Sequence, residues 1–102
     1  MLIINDENFE TEVLKSEIPV MVDFFADWCV PCKMLAPMLE ELSGEISPKA
    51  KIVKLDVDQS PETAKAYGIM SVPTLIVFKD GAMISKTVGG KSKEELLSLL
   101  EV

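Results

Sequence analysis

A nearly continuous apolar run in the chain is VMVDFFA, Val20 to Ala26, broken only by Asp23. A β-branched and aromatic run of this kind suits a strand buried on both faces. Other segments fall into place around it. Leu2 to Ile4 predicts a short first strand, and Asn5 or Asp6 can cap a helix whose apolar face includes Phe9 and Val13. Pro19 ends that connection. After the buried strand, Met34, Leu35, Met38, Leu39 and Leu42 recur at spacings of three and four, which marks a helix with one apolar face. Pro37 lies inside it, has no donor N–H, and should kink it. KIVKLDVD, residues 51–58, predicts the next strand. Ser60 and Pro61 open a short helix that Gly68 closes. Thr74–Phe78 and Met83–Val88 form a hairpin around Lys79–Gly81, with Asp80-Gly81 as its turn. Gly89 and Gly90 break the chain, and Ser92 with Glu95 makes a capping box for a last helix carrying Leu96, Leu97, Leu99 and Leu100.

The order β-α-β-α-β-α-β-β-α predicts an α/β fold: a mixed sheet of about five strands with helices on both faces. A length of 102 residues suits one domain, 1–102, with a single modest core, and an apolar share of 48% is ordinary for a globular chain. The formal net charge of −7 repels phosphate backbones, so nucleic acid is not an expected partner. The opening MLIINDENFE has no basic segment before its short apolar run and does not read as a signal peptide. No apolar run is long enough to span a membrane. The cytoplasm is therefore the expected compartment, and there a cysteine pair is more often catalytic or metal-binding than structural.

Both cysteines stand in DWCVPCK, Asp27 to Lys33, beside the only tryptophan. Three readings compete. A closed zinc site needs four ligands, and this chain has two cysteines and no histidine, so a site would need several carboxylates or a second chain. A structural disulfide here would close a loop of two residues, nearly the least useful choice for constraining the unfolded chain. A reactive dithiol gains from its position. Between a buried strand and an amphipathic helix, Cys29 falls at the helix N-terminus, where unpaired N–H groups and the helix dipole favour a thiolate. Cys32, one turn further in, is within reach and is expected to be less exposed. Pro31 gives up a donor that the first turn does not need. Asp23 within its apolar strand is costly to bury, so its pKa is expected to rise.

VDFFADWCVPCK, the interior Pro37, KLDVDQSPETAKAYGIMSVPTLIVFKDG and VGGKSKEELLSLL together resemble the thioredoxin family, in its order and spacing and over nearly the whole chain. The resemblance implies a five-stranded mixed sheet with four helices and a general protein dithiol–disulfide oxidoreductase. It implies Cys29 as nucleophile and Cys32 as resolving thiol, joined in the oxidised form. Asp23 would take a proton from Cys32 through water, with Lys54 as its partner on the neighbouring strand. Asp58 would accept a hydrogen bond from Trp28. The Val72–Pro73 bond would be cis and face the dithiol, and Trp28, Val30, Pro31, Met70, Val72, Pro73, Gly89 and Gly90 would form the docking surface for an extended target segment. Pro37 would be structural, and Lys33 a solvated helix residue. No cofactor beyond the dithiol and no metal is implied. The implied partners are disulfide-containing proteins and a separate thioredoxin reductase, met by a monomer. Two departures stand out. Val30 replaces the family's usual glycine, and Phe25 stands where many members carry tryptophan.

Overall fold

Every residue of β2, Val20–Phe25, is buried. Its neighbours explain why. β3, Lys51–Asp56, runs parallel along one side of β2, and β4, Thr74–Lys79, runs antiparallel along the other. β1, Leu2–Ile4, extends the sheet beyond β3, and β5, Ala82–Val88, extends it beyond β4. The strand order is β1-β3-β2-β4-β5, a five-stranded mixed sheet. A π-helical turn at Glu10–Leu14 and the helices α1, Val30–Ile46, α2, Pro61–Ala66, and α3, Lys93–Leu100, complete the fold. The computed structural model describes residues 1–101.

Alternation along the strands divides the core in two. Met21, Ile52, Leu75 and Val77 face Leu35, Leu39 and Leu42 of α1 and Leu96 and Leu100 of α3. Val22, Phe24, Leu55, Ile76 and Phe78 face the other way, against Phe9 and Val13. Phe9, Tyr67 and Phe78 meet there with ring centroids 5.2–5.6 Å apart. Asp80 and Gly81 both take positive φ (52° and 80°), the conformation of a two-residue turn matched to strand twist. The capping box of α3 forms, with Glu95 N–H donating to Ser92 Oγ and Ser92 N–H to Glu95 Oε1.

Several expectations need correction. The first helix is a single π-type turn, closed by Lys15 N–H donating to the Glu10 carbonyl at 2.9 Å. Asn5 does not cap it but closes the turn that precedes it, accepting from the N–H groups of Glu7 and Asn8, while Asn8 Oδ1 accepts from Asn5 N–H in return. Asp6 does something else. Its carboxylate accepts from the N–H groups of Glu62 and Thr63, so it caps α2 from 57 residues away, and Ser60 makes no side-chain cap. Strand β3 stops at Asp56, two residues short of expectation, because Asp56 Oδ1 accepts from the N–H groups of Asp58 and Gln59 and turns the chain. Pro37 lies inside α1 as expected, but the buried stripe of the helix is Leu35, Leu39, Leu42 and Ile46; Met34, expected on that face, is 77% exposed and outside it. Gly68 closes α2 in the left-handed conformation, with its N–H on the Lys65 carbonyl and that of Ile69 on the Ala64 carbonyl.

The double duty of the β1–turn segment is testable. Desolvation pushes the Asp6 carboxyl up, but hydrogen bonds from Thr63 and Glu62 outweigh it and hold the group below its ordinary range. The stabilisation is therefore present above the unfolded-state pKa, near 3.8, and lost as pH falls through the lower folded-state value. Asp6→Ala is expected to lower the thermal midpoint by several degrees at neutral pH, with the difference from wild type shrinking below about pH 4. Scanning calorimetry at both pH values checks it; a pH-independent difference would show that the carboxylate is not the cap.

Candidate active site

The site begins where β2 ends. Cys29 is the N-cap residue of α1 in extended conformation (φ −85°, ψ 108°), and Pro31 sits in the first turn. Cys32 N–H donates to Cys29 Sγ at 3.2 Å. This is the capping geometry of serine or aspartate, performed by sulfur. A thiolate accepts such a bond better than a thiol, and it also meets the positive end of a 17-residue helix. Cys29 and Cys32 are joined as a disulfide with Cα atoms 5.3 Å apart.

Both sulfur-bearing residues are buried, Cys29 at 3% and Cys32 at 5% exposure. The expected difference in exposure is absent in this oxidised state. Phe25 and Ala26 pack behind the pair, and Val57 and Val72 lie against the same cluster. The asymmetry is one of hydrogen bonding: Cys29 caps the helix, whereas Cys32 lies within it.

The rim around the pair is apolar. Trp28 and Val30 are mostly exposed, as are Met34 and Met70, the last at 93%. Trp28 Nε1 donates to Asp58 Oδ2 at 2.8 Å, which fixes the indole over the turn that Asp56 builds. The Val72–Pro73 peptide bond is cis. Gly89 N–H donates to the Pro73 carbonyl at 2.8 Å, so the end of β5 closes the far side of this loop, and Gly90 follows it, exposed. Trp28, Met70 and Val72 share a small crevice.

Asp23 lies deeper. It is 0% exposed, and neither carboxylate oxygen has a hydrogen-bond partner. Burial pushes its pKa up to about 6, against the downward pull of Lys54. Register sets Lys54 directly opposite Asp23 on β3, but the two form no ion pair. Lys54 Nζ instead lies over the Phe25 ring, 4.3 Å from its centroid. Lys54 and Cys32 line one cleft with Phe25, Ala26, Asp27, Lys33 and Ala36, with a volume of about 200 Å³, room for several waters.

Two residues escaped sequence reasoning. Asp56 positions Asp58, and the only signal was the D-x-D spacing. Met34 falls one turn after Val30 on the same side of α1, and its place in an apolar stripe disguised it as core. Among the described residues, no group of three or more His, Cys, Asp or Glu could hold a metal ion.

The thioredoxin family model matches residues 1–102. The thioredoxin of Synechocystis sp. is 48% identical over 98 residues, covering 96% of this chain and 92% of that protein. That of Acidithiobacillus ferridurans is 45% identical over 101 residues, covering 99% and 94%. That of Mycobacterium bovis is 51% identical over 94 residues, covering 92% and 81%. With a cysteine pair at a helix N-terminus, a five-stranded mixed sheet behind it and relatives matched almost end to end, this chain belongs to the thioredoxin family of dithiol–disulfide oxidoreductases.

Proposed function

We propose that the chain is a general reductant of protein disulfides, working as a cytoplasmic monomer and recycled by a separate thioredoxin reductase. The observation that carries this reading is the Cys29–Cys32 pair set within an exposed apolar rim, which suits docking of another protein. In the reduced protein, the Cys29 thiolate attacks one sulfur of the target disulfide. A Cys29–target bond forms, and the second target sulfur leaves as a thiolate. Cys32 then gives its proton to Asp23 through water in the adjoining cleft, and its thiolate attacks Cys29 Sγ. The internal disulfide forms and the target departs with two electrons. The reductase returns two electrons to the pair, so no cofactor is needed on this chain. Val30, Met34, Met70 and Val72 receive the target's apolar side chains, and the backbone of Val72 pairs with its extended segment as an added strand would. Pro73, Gly89 and Gly90 keep that approach flat.

Turbidity from insulin reduction tests the reading, with a thioredoxin reductase or glutathione as alternative electron source. Turnover sustained by the reductase and not by glutathione supports it. Regeneration by glutathione alone would favour a glutaredoxin-like role, and binding of targets without turnover would make the surface a docking module.

Val30 sharpens the partner question. Its side chain projects into solvent at the first position of α1, beside the nucleophile. Neither glycine nor valine carries a charge or a side-chain donor, so the electrostatics of Cys29 barely change between them. Val30→Gly is expected to shift the potential by less than about 30 mV while changing turnover with a heterologous reductase several-fold. A larger shift with unchanged reductase kinetics would mean that Val30 tunes the chemistry and not the partner.

A further inference from the structure

The segment Tyr67–Pro73 joins α2 to β4 and carries Val72 to the cysteine cluster and Met70 to the crevice it shares with Trp28. Its tethers are mostly local. Thr74 Oγ1 donates to the Ser71 carbonyl at 2.7 Å, and Ile69 N–H to the Ala64 carbonyl at 2.9 Å. Packing of Tyr67 with Phe9 and Phe78, and the Gly89 N–H on the Pro73 carbonyl, hold its two ends; among the described residues, the side-chain hydrogen bonds that reach it from a distant part of the chain come from one lysine. Lys86 on β5 donates through Nζ to the Tyr67 carbonyl at 3.0 Å and to the Gly68 carbonyl at 3.4 Å. These carbonyls follow the last turn of α2, where no helical N–H remains to meet them. An ammonium suits the place, because it offers several donors and the positive charge that a helix C-terminus favours. Lys86 stands opposite Ile76 in the register of the edge strand, so its stem crosses the sheet margin toward α2.

We infer that Lys86 is a positioning residue for target capture, holding the start of the Tyr67–Pro73 segment so that Met70 and Val72 are ordered before a protein docks. The inference rests on the reading of Met70–Pro73 as a docking segment. A segment ordered in advance loses less freedom on binding, which improves affinity without new contacts. The bond-making step at Cys29 is untouched, and a small disulfide that does not contact Met70 or Val72 gains nothing from the tether. Lys86 is exposed, so its replacement leaves the core intact.

The test compares wild type, Lys86→Met, Lys86→Arg and Lys65→Met, with dithiothreitol as electron source. Insulin is the protein substrate and Ellman's disulfide the small one. Lys65 lies exposed on α2, so its replacement makes the same charge change without cutting the tether. Lys86→Met is expected to raise KM for insulin about 3–10-fold. Its kcat and its rate with Ellman's disulfide should stay within about twofold of wild type. Lys86→Arg should restore KM, Lys65→Met should leave it unchanged, and amide exchange at Gly68 and Ile69, whose N–H groups donate to the Lys65 and Ala64 carbonyls, should accelerate in Lys86→Met alone. An unchanged KM, an equal rise in Lys65→Met, a parallel fall with Ellman's disulfide, or unaltered exchange would each overturn the inference. If wild type itself shows no saturation with insulin while reacting with Ellman's disulfide, the docking reading fails first.

Discussion

Cys29→Ser is expected to abolish insulin reduction, whereas Cys32→Ser should stop turnover at a stable mixed disulfide. The two thiols are equally buried in the oxidised state, so exposure does not rank them. Hydrogen bonding does. Cys29 Sγ is the side-chain cap of α1 and accepts the Cys32 N–H at 3.2 Å. Removing the disulfide leaves that cap in place, and a negative sulfur is the better acceptor. Cys32 sits within the helix, packed with Phe25 and Ala26. Only Cys29 borders the mostly exposed Trp28 and Val30 across which a target would approach. Brief alkylation of reduced protein near neutral pH, followed by mass spectrometry, should label Cys29 well ahead of Cys32. The Cys32→Ser protein should capture disulfide-bearing targets from solution, and Cys29→Ser should capture none. Equal labelling, or capture by Cys29→Ser, would reverse the assignment.

Much of this site was legible because local signals agreed with one another. The apolar run at β2, the C-x-x-C motif and the period of α1 each point to the same junction, and the junction is where the chemistry lies. What escaped depends on contacts between distant segments. Asn5 and Asp6 are equally good caps by composition. Only the placement of α2 against the β1–turn segment assigns Asp6 to Thr63 and leaves Asn5 to its own turn. Met34 reads as core because its spacing to Met38 and Leu42 fits an apolar stripe, but the buried stripe is centred one residue on, at Leu35, Leu39, Leu42 and Ile46, which turns Met34 out of it. The burial of Cys29 reflects the cover given by Ala26 and Val72, the second of which arrives from 43 residues away. Lys86 is an ordinary lysine on an edge strand until α2 is placed beside it. Lys54 shows a subtler limit. Register could be anticipated, yet the ammonium settles over Phe25 and not on the carboxylate opposite.

Asp23→Asn is expected to slow resolution of the mixed disulfide by about 10–100-fold, at or below the low end for a general base, because water in the cleft can accept some of the proton. The same substitution should stabilise the fold, and the pH dependence connects the two effects. The Asp23 carboxyl is fully buried without a hydrogen-bond partner, and burial raises its pKa from 3.8 to about 6. The folded state thus holds the proton more tightly than the unfolded state. The stability this confers is complete below the unfolded-state value of 3.8 and is lost as pH rises to and through about 6. A shift of this size corresponds to about 3 kcal/mol, absent from the wild-type protein at neutral pH. Asparagine has the same shape and no charge to bury, so Asp23→Asn should match wild type near pH 4 and exceed it increasingly toward pH 7. Because asparagine does not titrate, the growth of this difference with pH measures wild-type linkage alone, and any cost of burying an amide without partners shifts it equally at every pH. Urea titrations at several pH values measure this, and a constant difference between the two proteins would show that Asp23 does not titrate in that range. Stopped-flow measurement of resolution supplies the kinetic half. In wild type the rate should rise through about pH 6, as Asp23 loses its proton and becomes able to accept one from Cys32. Asp23→Asn should lack that limb. Unchanged resolution rates across neutral pH would remove Asp23 from the proton path, even if the stability profile followed its titration. The residue would then be a buried acid with an energetic cost and no part in turnover.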